Sequence, residues 1–284
     1  MQETHYKLPH ITLSALVQGE AGLPPVLALH GWLDNAASFR ALARHLPQVH
    51  LIAVDFAGHG FSQHRPKGVP YYLWDNVSDI MALADHLGLE RFHLLGHSMG
   101  ASVCSLIASL FPERVLSVSL IDGVAPLTDE PGDLPKLMAL AMQQYQRVAQ
   151  KRQVGYSRFE DAIEARMQGR FPLPDQVSAV ALLKRALTMR DQRWYWHTDP
   201  RLRLASILRL SNAQVQSLLK HIQAPVLVCL AENGIATEVT YSLIKLVPNH
   251  RIDVKAGQHH FHMKNETAAQ LACLINEHIT TATR

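Results

Sequence analysis

Apolar residues in the first half of the chain fall into short runs separated by glycine and polar turns. Residues 11–18 read as an early strand, 26–30 as a buried one and 51–54 as another, with a helix-length segment over 38–46 between the last two. A helix over 77–87 stops at Gly88. A strand at 92–95, a helix over 99–110 and a strand at 115–121 follow. Strand and helix in alternation predict a parallel sheet with crossover helices. After Gly123 the rhythm changes. Between 126 and 210 the segments PKLMALAMQQYQRVAQ, FEDAIEARM and VSAVALLKRAL are helix-forming, with no clear strand among them, which predicts a helical insertion. HIQAPVLVCLAENG then restores a strand, a helix is expected over 238–246, RIDVKAG supplies another strand, and a helix over 266–280 closes the chain. No internal repeat or low-complexity tract interrupts this order.

Composition narrows the picture. With 284 residues, 48% of them hydrophobic, the chain suits one large domain carrying an insertion: a core of 1–125 and 211–284 and a cap of 126–210. The cap holds 14 Lys and Arg against 9 Asp and Glu, the remainder 13 against 15, so the insertion is the basic part. The net charge of +3 is too small and scattered to point to nucleic acid. No run of eighteen apolar residues exists, and MQETHYKLPH has neither a charged nor an apolar leader region, so a cytoplasmic protein without membrane insertion is expected. Cys104, Cys229 and Cys273 lie in apolar segments without metal-like spacing and read as buried small hydrophobes. Most of the 17 histidines read as surface or satisfied core residues.

One stretch carries chemistry. In LLGHSMGAS a serine stands between two glycines where a strand turns into a helix. Gly96 and Gly100 leave room for a tight turn that lifts the Ser98 hydroxyl into a cleft, and the helix beginning beyond it presents backbone N–H groups where an oxyanion would form. LALHGWLDN ends the first buried strand, so the N–H of Trp32 is available to join that of Met99 as a donor pair. The loop DFAGHGFS reads as cleft wall without a catalytic role. A serine needs a base to take its proton, and AGQHHFHMKNE offers His259, His260 and His262 after the last strand. No HExxH helix or cysteine pair accompanies them, so no metal is expected there.

These residues resemble the α/β-hydrolase fold enzymes: HGW, DxxGHGxS, GHSMG and a GxH-type histidine occur in that family's order over nearly the whole chain. HGWLDNAASF, DFAGHGFSQHRP, FHLLGHSMGA, LIDG and AEN look most like the serine hydrolase-like proteins within it. The resemblance implies a mostly parallel eight-stranded sheet with helices on both faces and a helical cap inserted after the sixth strand. It assigns Ser98 as nucleophile, Trp32 and Met99 as backbone oxyanion donors, and His259 as base, with His260 and His262 as fallbacks. The family's acid normally stands in a G-x-x-D frame after the seventh strand. Here that frame reads Ala231, Glu232, Asn233, Gly234, with glycine at the acid's position. Asp122, directly after the sixth strand, ends on the same sheet edge as Ser98 and is the preferred substitute, with Glu232 the alternative.

The expected reaction is cleavage of a small-molecule carboxylic ester or thioester through an acyl-enzyme, with no cofactor. A binding protein using the same cleft with little or no turnover is the competing class, since fold does not fix function. C–C hydrolysis and perhydrolysis use the same constellation, whereas aspartate-nucleophile chemistry is disfavoured by the serine. Trp194, Trp196 and Phe171 of the cap are candidate pocket residues, and the arginines of RMQGR and RLRLASILRL face an anionic substrate, a membrane surface or solvent.

Overall fold

Strands apolar at every position need cover on both faces, and the chain supplies it. The computed structural model describes residues 1–148 and 154–283. In chain order the first half builds β1 (Gln2–Lys7), β2 (Thr12–Gln18), β3 (Pro25–Leu29), the single-turn α1 (Arg40–Ala43), β4 (His50–Val54), α2 (Leu73–His86), β5 (Phe92–His97), α3 (Met99–Leu110) and β6 (Val115–Ile121). The helix expected over 38–46 is shorter than its pattern suggests: a 3₁₀ turn, Ala36–Phe39, capped by the Asn35 side chain, takes up its start. β1 was not anticipated because its residues alternate between exposed and half-buried and present no apolar face.

Between β6 and the returning core lie α4 (Leu134–Val148), α5 (Phe159–Met167), α6 (Gln176–Ala186) and a hairpin of β7 (Leu187–Arg190) and β8 (Arg193–Trp196). The last two residues of PKLMALAMQQYQRVAQ lie outside the described residues. The hairpin corrects the expectation of a strand-free insertion. Its two-residue turn places Asp191 at φ 47° and Gln192 at φ 57°, the left-handed geometry that Asn-Gly usually provides, so the usual sequence signal is missing. The core resumes with α7 (Asn212–Lys220), β9 (Val226–Asn233), α8 (Glu238–Ile244), β10 (His250–Gln258) and α9 (Asn265–Thr283).

The main sheet has the order β1-β2-β4-β3-β5-β6-β9-β10, antiparallel only where β1 meets β2 and β2 meets β4. One face is covered by α2, α3 and α7 through residues such as Ile80, Leu83, Val103, Ile107 and Leu219. The other is covered by α1 and α9 through Leu42, Leu271 and Ile275, and Ile163, Leu182 and Leu187 of the insertion join that same core. The fold is thus the expected mostly parallel eight-stranded α/β sheet with an insertion after its sixth strand. No described helix is long and apolar enough to cross a membrane. Cys104 and Cys229 are buried as expected, but Cys273 is exposed, on the solvent side of α9.

Register sets the site. Leu29 pairs with Gly96, His97 with Ile121, Ile121 with Cys229, and Gln258 with Asn233. The residues that follow these pairs therefore emerge together at the carboxyl edge of the sheet, where open α/β sheets place their ligands.

Candidate active site

Ser98 leaves β5 and precedes α3 with φ 52° and ψ −113°, a conformation that costs an L-residue roughly 1–3 kcal/mol and persists only where its surroundings impose it. Three glycines make it possible. A Cβ on Gly96 would lie 2.6 Å from the Gly100 carbonyl oxygen, one on Gly100 would fall on the Leu29 carbonyl, and one on Gly123 would lie 2.7 Å from the Ser98 carbonyl oxygen. The Ser98 hydroxyl bonds to no described residue and lines a cavity of about 280 Å³ that His259, Phe171, Trp196 and Gly31 also border. Met99 opens α3, so its N–H has no acceptor within the helix, and the N–H of Trp32 bonds to no described residue. The Trp32 indole donates to the Leu202 carbonyl at 2.8 Å, which pins this loop to the insertion.

The residue whose carboxylate meets His259 at the sheet edge is Asp122. It is fully buried at φ 43°, and its Oδ2 accepts from His259 Nδ1 at 2.7 Å and from the Ile235 N–H at 3.1 Å, while Oδ1 accepts from the Ala231 N–H at 3.2 Å. Nδ1 being engaged, Nε2 is the His259 nitrogen left to the cavity; it forms no hydrogen bond with Ser98 in this structure. Gly234 explains the altered acid frame. A Cβ at Gly234 would fall on the Asp122 carboxylate, although its φ is not in the left-handed region, so the glycine answers a demand for space. Asp122, at the end of β6, thus reaches across to the end of β9 and occupies the space that a side chain at position 234 would need. Glu232 is exposed and has no ion-pair or hydrogen-bond partner among the described residues. Of the three histidines of the last loop, only His259 meets Asp122.

Sequence reasoning missed the layer beneath. Asp34, of HGWLDN, is buried with Oδ1 2.9 Å from Arg166 and Oδ2 3.1 Å from His260 Nε2. Burial pushes its carboxyl up, but His260, Arg166 and His97 outweigh that and hold it well below the usual carboxylate range. His97 Nε2 lies 3.0 Å from the His259 carbonyl oxygen; since that oxygen is an acceptor, the ring carries its proton on Nε2 and donates it there. His262 packs against His97 with ring centroids 4.1 Å apart, and neither of its nitrogens has a partner. Burial, then neighbouring histidines, lowers the pKa of His97 and His262 well below the ordinary value. These two histidines are thus buried without being fully satisfied, exceptions to the reading of most of the chain's histidines as surface or satisfied core residues. Atoms of Asp34, His97 and His260 gather within 4.8 Å of one another, a spacing three ligands of one cation can adopt, but the Arg166 guanidinium already supplies positive charge at Asp34.

Two more buried carboxylates, Asp55 of the core and Asp199 of the insertion, tie the insertion to the core. Asp55, of DFAGHGFS, receives Arg185 of α6 at 2.5 Å and the N–H groups of Ala36 and Phe61 at 2.7 and 2.9 Å. Asp199 binds Arg201 at 2.7 Å and accepts from the Tyr71 hydroxyl at 2.9 Å. Among the candidate pocket residues, Phe171 and Trp196 border the cavity, and the Phe171 ring lies 4.9 Å from that of His259. Trp194 does not border it; its ring packs edge-on against Phe159, 5.1 Å away, in the core. A separate groove of about 290 Å³ between Val49 and α9 is lined by no ionisable side chain that could act as a base for its threonines.

Comparison with known proteins agrees with this architecture. Residues 24–266 match the family model described as alpha/beta hydrolase fold. The serine hydrolase-like protein of Danio rerio is 32% identical over 278 residues, covering 94% of this chain and 85% of that one. A serine hydrolase-like protein of Dictyostelium discoideum is 30% identical, covering 86% and 72%. The crystal structure of a hypothetical protein from Pseudomonas aeruginosa PAO1 superposes with a TM-score of 0.94 at 38% identity over the full length of both chains. A thioesterase domain from the curacin biosynthetic pathway shares the fold at a TM-score of 0.84 and 21% identity, covering 97% and 99%. By its matched family model, its relatives and its sheet, the chain belongs to the α/β-hydrolase fold family, together with the serine hydrolase-like proteins.

Proposed function

We propose that this chain hydrolyses a carboxylic ester or thioester through an acyl-enzyme on Ser98. The observation that carries the reading is the buried 2.7 Å contact between Asp122 and His259, at the wall of the cavity that Ser98 lines. Asp122 holds the Nδ1–H tautomer of His259, leaving Nε2 to take the Ser98 proton as Oγ attacks the carbonyl carbon. Negative charge collects on the carbonyl oxygen, where the N–H groups of Trp32 and Met99 and the amino end of α3 receive it. Collapse expels the alcohol or thiol, protonated by the imidazolium. Water then gives its proton to His259 and attacks the acyl carbon, and collapse breaks the bond to Ser98 Oγ, which takes that proton back from the imidazolium as the acid leaves.

The carboxylate is needed throughout because the imidazolium forms in a buried place where an unpaired charge is costly. The small cavity, about 280 Å³, sits at the lower end of ligand pockets and favours a short acyl chain. The test is turnover of 4-nitrophenyl esters of graded chain length and matching acyl thioesters. Wild type is expected to cleave the short members, and Ser98→Ala to lose roughly 10⁴-fold or more. No turnover by wild type, or equal turnover by Ser98→Ala, overturns the proposal.

A further inference from the structure

Three arginines, Arg166, Arg170 and Arg203, line the cavity of Ser98 and His259, and among the described residues Asp34 is the one carboxylate on its wall. Asp34 is matched by Arg166 at 2.9 Å. Arg170 and Arg203 have no acidic partner and donate no hydrogen bond to a described residue. Each guanidinium lies instead over an aromatic ring that also borders the cavity: Arg170 Cζ is 5.3 Å from the centre of Phe171, and Arg203 Cζ is 5.7 Å from the centre of Trp196. A cation–π contact of this kind uses no N–H group, so the N–H edge of each guanidinium remains for two oxygens of one anionic group.

This condition is not general to the insertion. Arg158 and Arg209 meet carboxylates, Arg193 donates to the Gly155 carbonyl, and Arg201 is saturated by Asp199 and three carbonyls. Arg147, near the end of α4, also lacks a partner among the described residues but does not border the cavity, so of the arginines that line the cavity Arg170 and Arg203 are the two with free forks. Phe171 touches both Arg170 and His259, so one fork stands a single ring away from the candidate base.

We infer that the cavity mouth selects a substrate carrying an anionic oxygen group, carboxylate or phosphate, a few atoms from the carbonyl that reacts, and that Arg170 and Arg203 are the residues that bind it. This inference rests on the serine-hydrolase reading and names the substrate class of that same site. A neutral substrate leaves both guanidinium edges to water and gains nothing from them. Both side chains are exposed, so water competes for them and the discrimination is about tenfold, below that of a fully buried pair.

The test compares two matched pairs on wild type and on the double variant R170Q/R203Q. One pair is mono-4-nitrophenyl adipate and its methyl ester, which differ in a terminal carboxylate. The other is 4-nitrophenyl 4-(phosphonooxy)butanoate and its dimethyl phosphate ester, which differ in the charge of a terminal phosphate. Wild type is expected to favour the anionic member of at least one pair by about tenfold in kcat/KM, and the double variant to bring that pair within about threefold. The pair that responds identifies the anion as carboxylate or phosphate. Equal efficiency within both pairs for wild type, or a preference that survives in R170Q/R203Q, overturns the inference and leaves the hydrolase reading standing. Failure of wild type to turn over any of the four removes the reading beneath it.

Discussion

Replacing Asp122 by asparagine keeps the shape of the side chain and removes its charge. The carboxylate accepts three hydrogen bonds, from His259, Ile235 and Ala231. The amide can place its NH₂ at either oxygen's position. At the Oδ1 position it faces the Ala231 N–H, donor against donor, and at the Oδ2 position it forces His259 to accept at Nδ1 and carry its proton on Nε2. The second arrangement leaves no base for Ser98, and the first leaves the imidazolium without a counter-charge. Loss of such a carboxylate costs about 10⁴-fold in turnover, or roughly 5 kcal/mol of barrier. The donor clash costs a further roughly 1–3 kcal/mol of stability. Gly234 provides a second handle. A methyl group there falls on the Asp122 carboxylate, so Gly234→Ala displaces the acid and reproduces much of the loss. Once Asp122→Asn has removed the acid, Gly234→Ala has little left to spoil, and the two losses must be strongly non-additive. The assay is kcat/KM on one short ester for Asp122→Asn, Gly234→Ala, the double variant and Glu232→Gln, each confirmed folded by urea denaturation. Glu232→Gln is expected to stay within about threefold of wild type, since exposed groups without partners contribute little. Full activity of Asp122→Asn, strict additivity with Gly234→Ala, or a large loss confined to Glu232→Gln would refute the assignment of the acid.

Three further outcomes follow from the packing. Trp196→Ala should reorder the chain-length preference of ester turnover because Trp196 borders the cavity, whereas Trp194→Ala should lower stability and leave that order intact; the reverse result contradicts the placement of the two rings. Asp55→Asn should cost about 2–3 kcal/mol in denaturant melts, because it removes the buried counter-charge of Arg185 and leaves that guanidinium the part-exposed Glu3 carboxylate and the Ser14 hydroxyl; a loss under about 1 kcal/mol would mean the pair does not anchor α6. His97 and His262 stay neutral in the folded chain well below the 6.5 at which they titrate when free, so the unfolded chain binds more protons below that pH. Their contribution is thus complete above pH 6.5 and falls as pH drops beneath it, by roughly 1 kcal/mol per pH unit for each ring. His262→Leu should flatten that slope by one proton's worth, and an unchanged slope would show that the ring is not the buried, neutral group described.

Local patterns in the chain foretold the elements that local forces shape. The elbow is legible because Gly96 and Gly100 have no other reason to flank Ser98, and α3 and β6 lie over the residues their apolar runs mark. Asp122 is legible because a residue ending a neighbouring parallel strand must reach the same edge. The turn of β7–β8 is not, because Asp191 and Gln192 adopt a left-handed geometry that their types rarely signal. Nor is the cluster of Asp34, His97, Arg166, His260 and His262, whose members come from four separate segments and meet only after the sheet and insertion close. Trp194 and Trp196 stand two apart on one strand, and a sequence has no means to rank them; Trp194 packs against Phe159 of α5 while Trp196 borders the cavity.

Every step proposed for the cavity depends on Ser98 being the nucleophile. That role is measured most directly by the intact mass of the protein after reaction with a fluorophosphonate, followed by peptide mapping of the adduct. One adduct per chain is expected on the peptide containing Ser98, formed by wild type, slowed strongly in Asp122→Asn and missing in Ser98→Ala. An adduct on another residue, no adduct on wild type, or equal labelling of Ser98→Ala would contradict it.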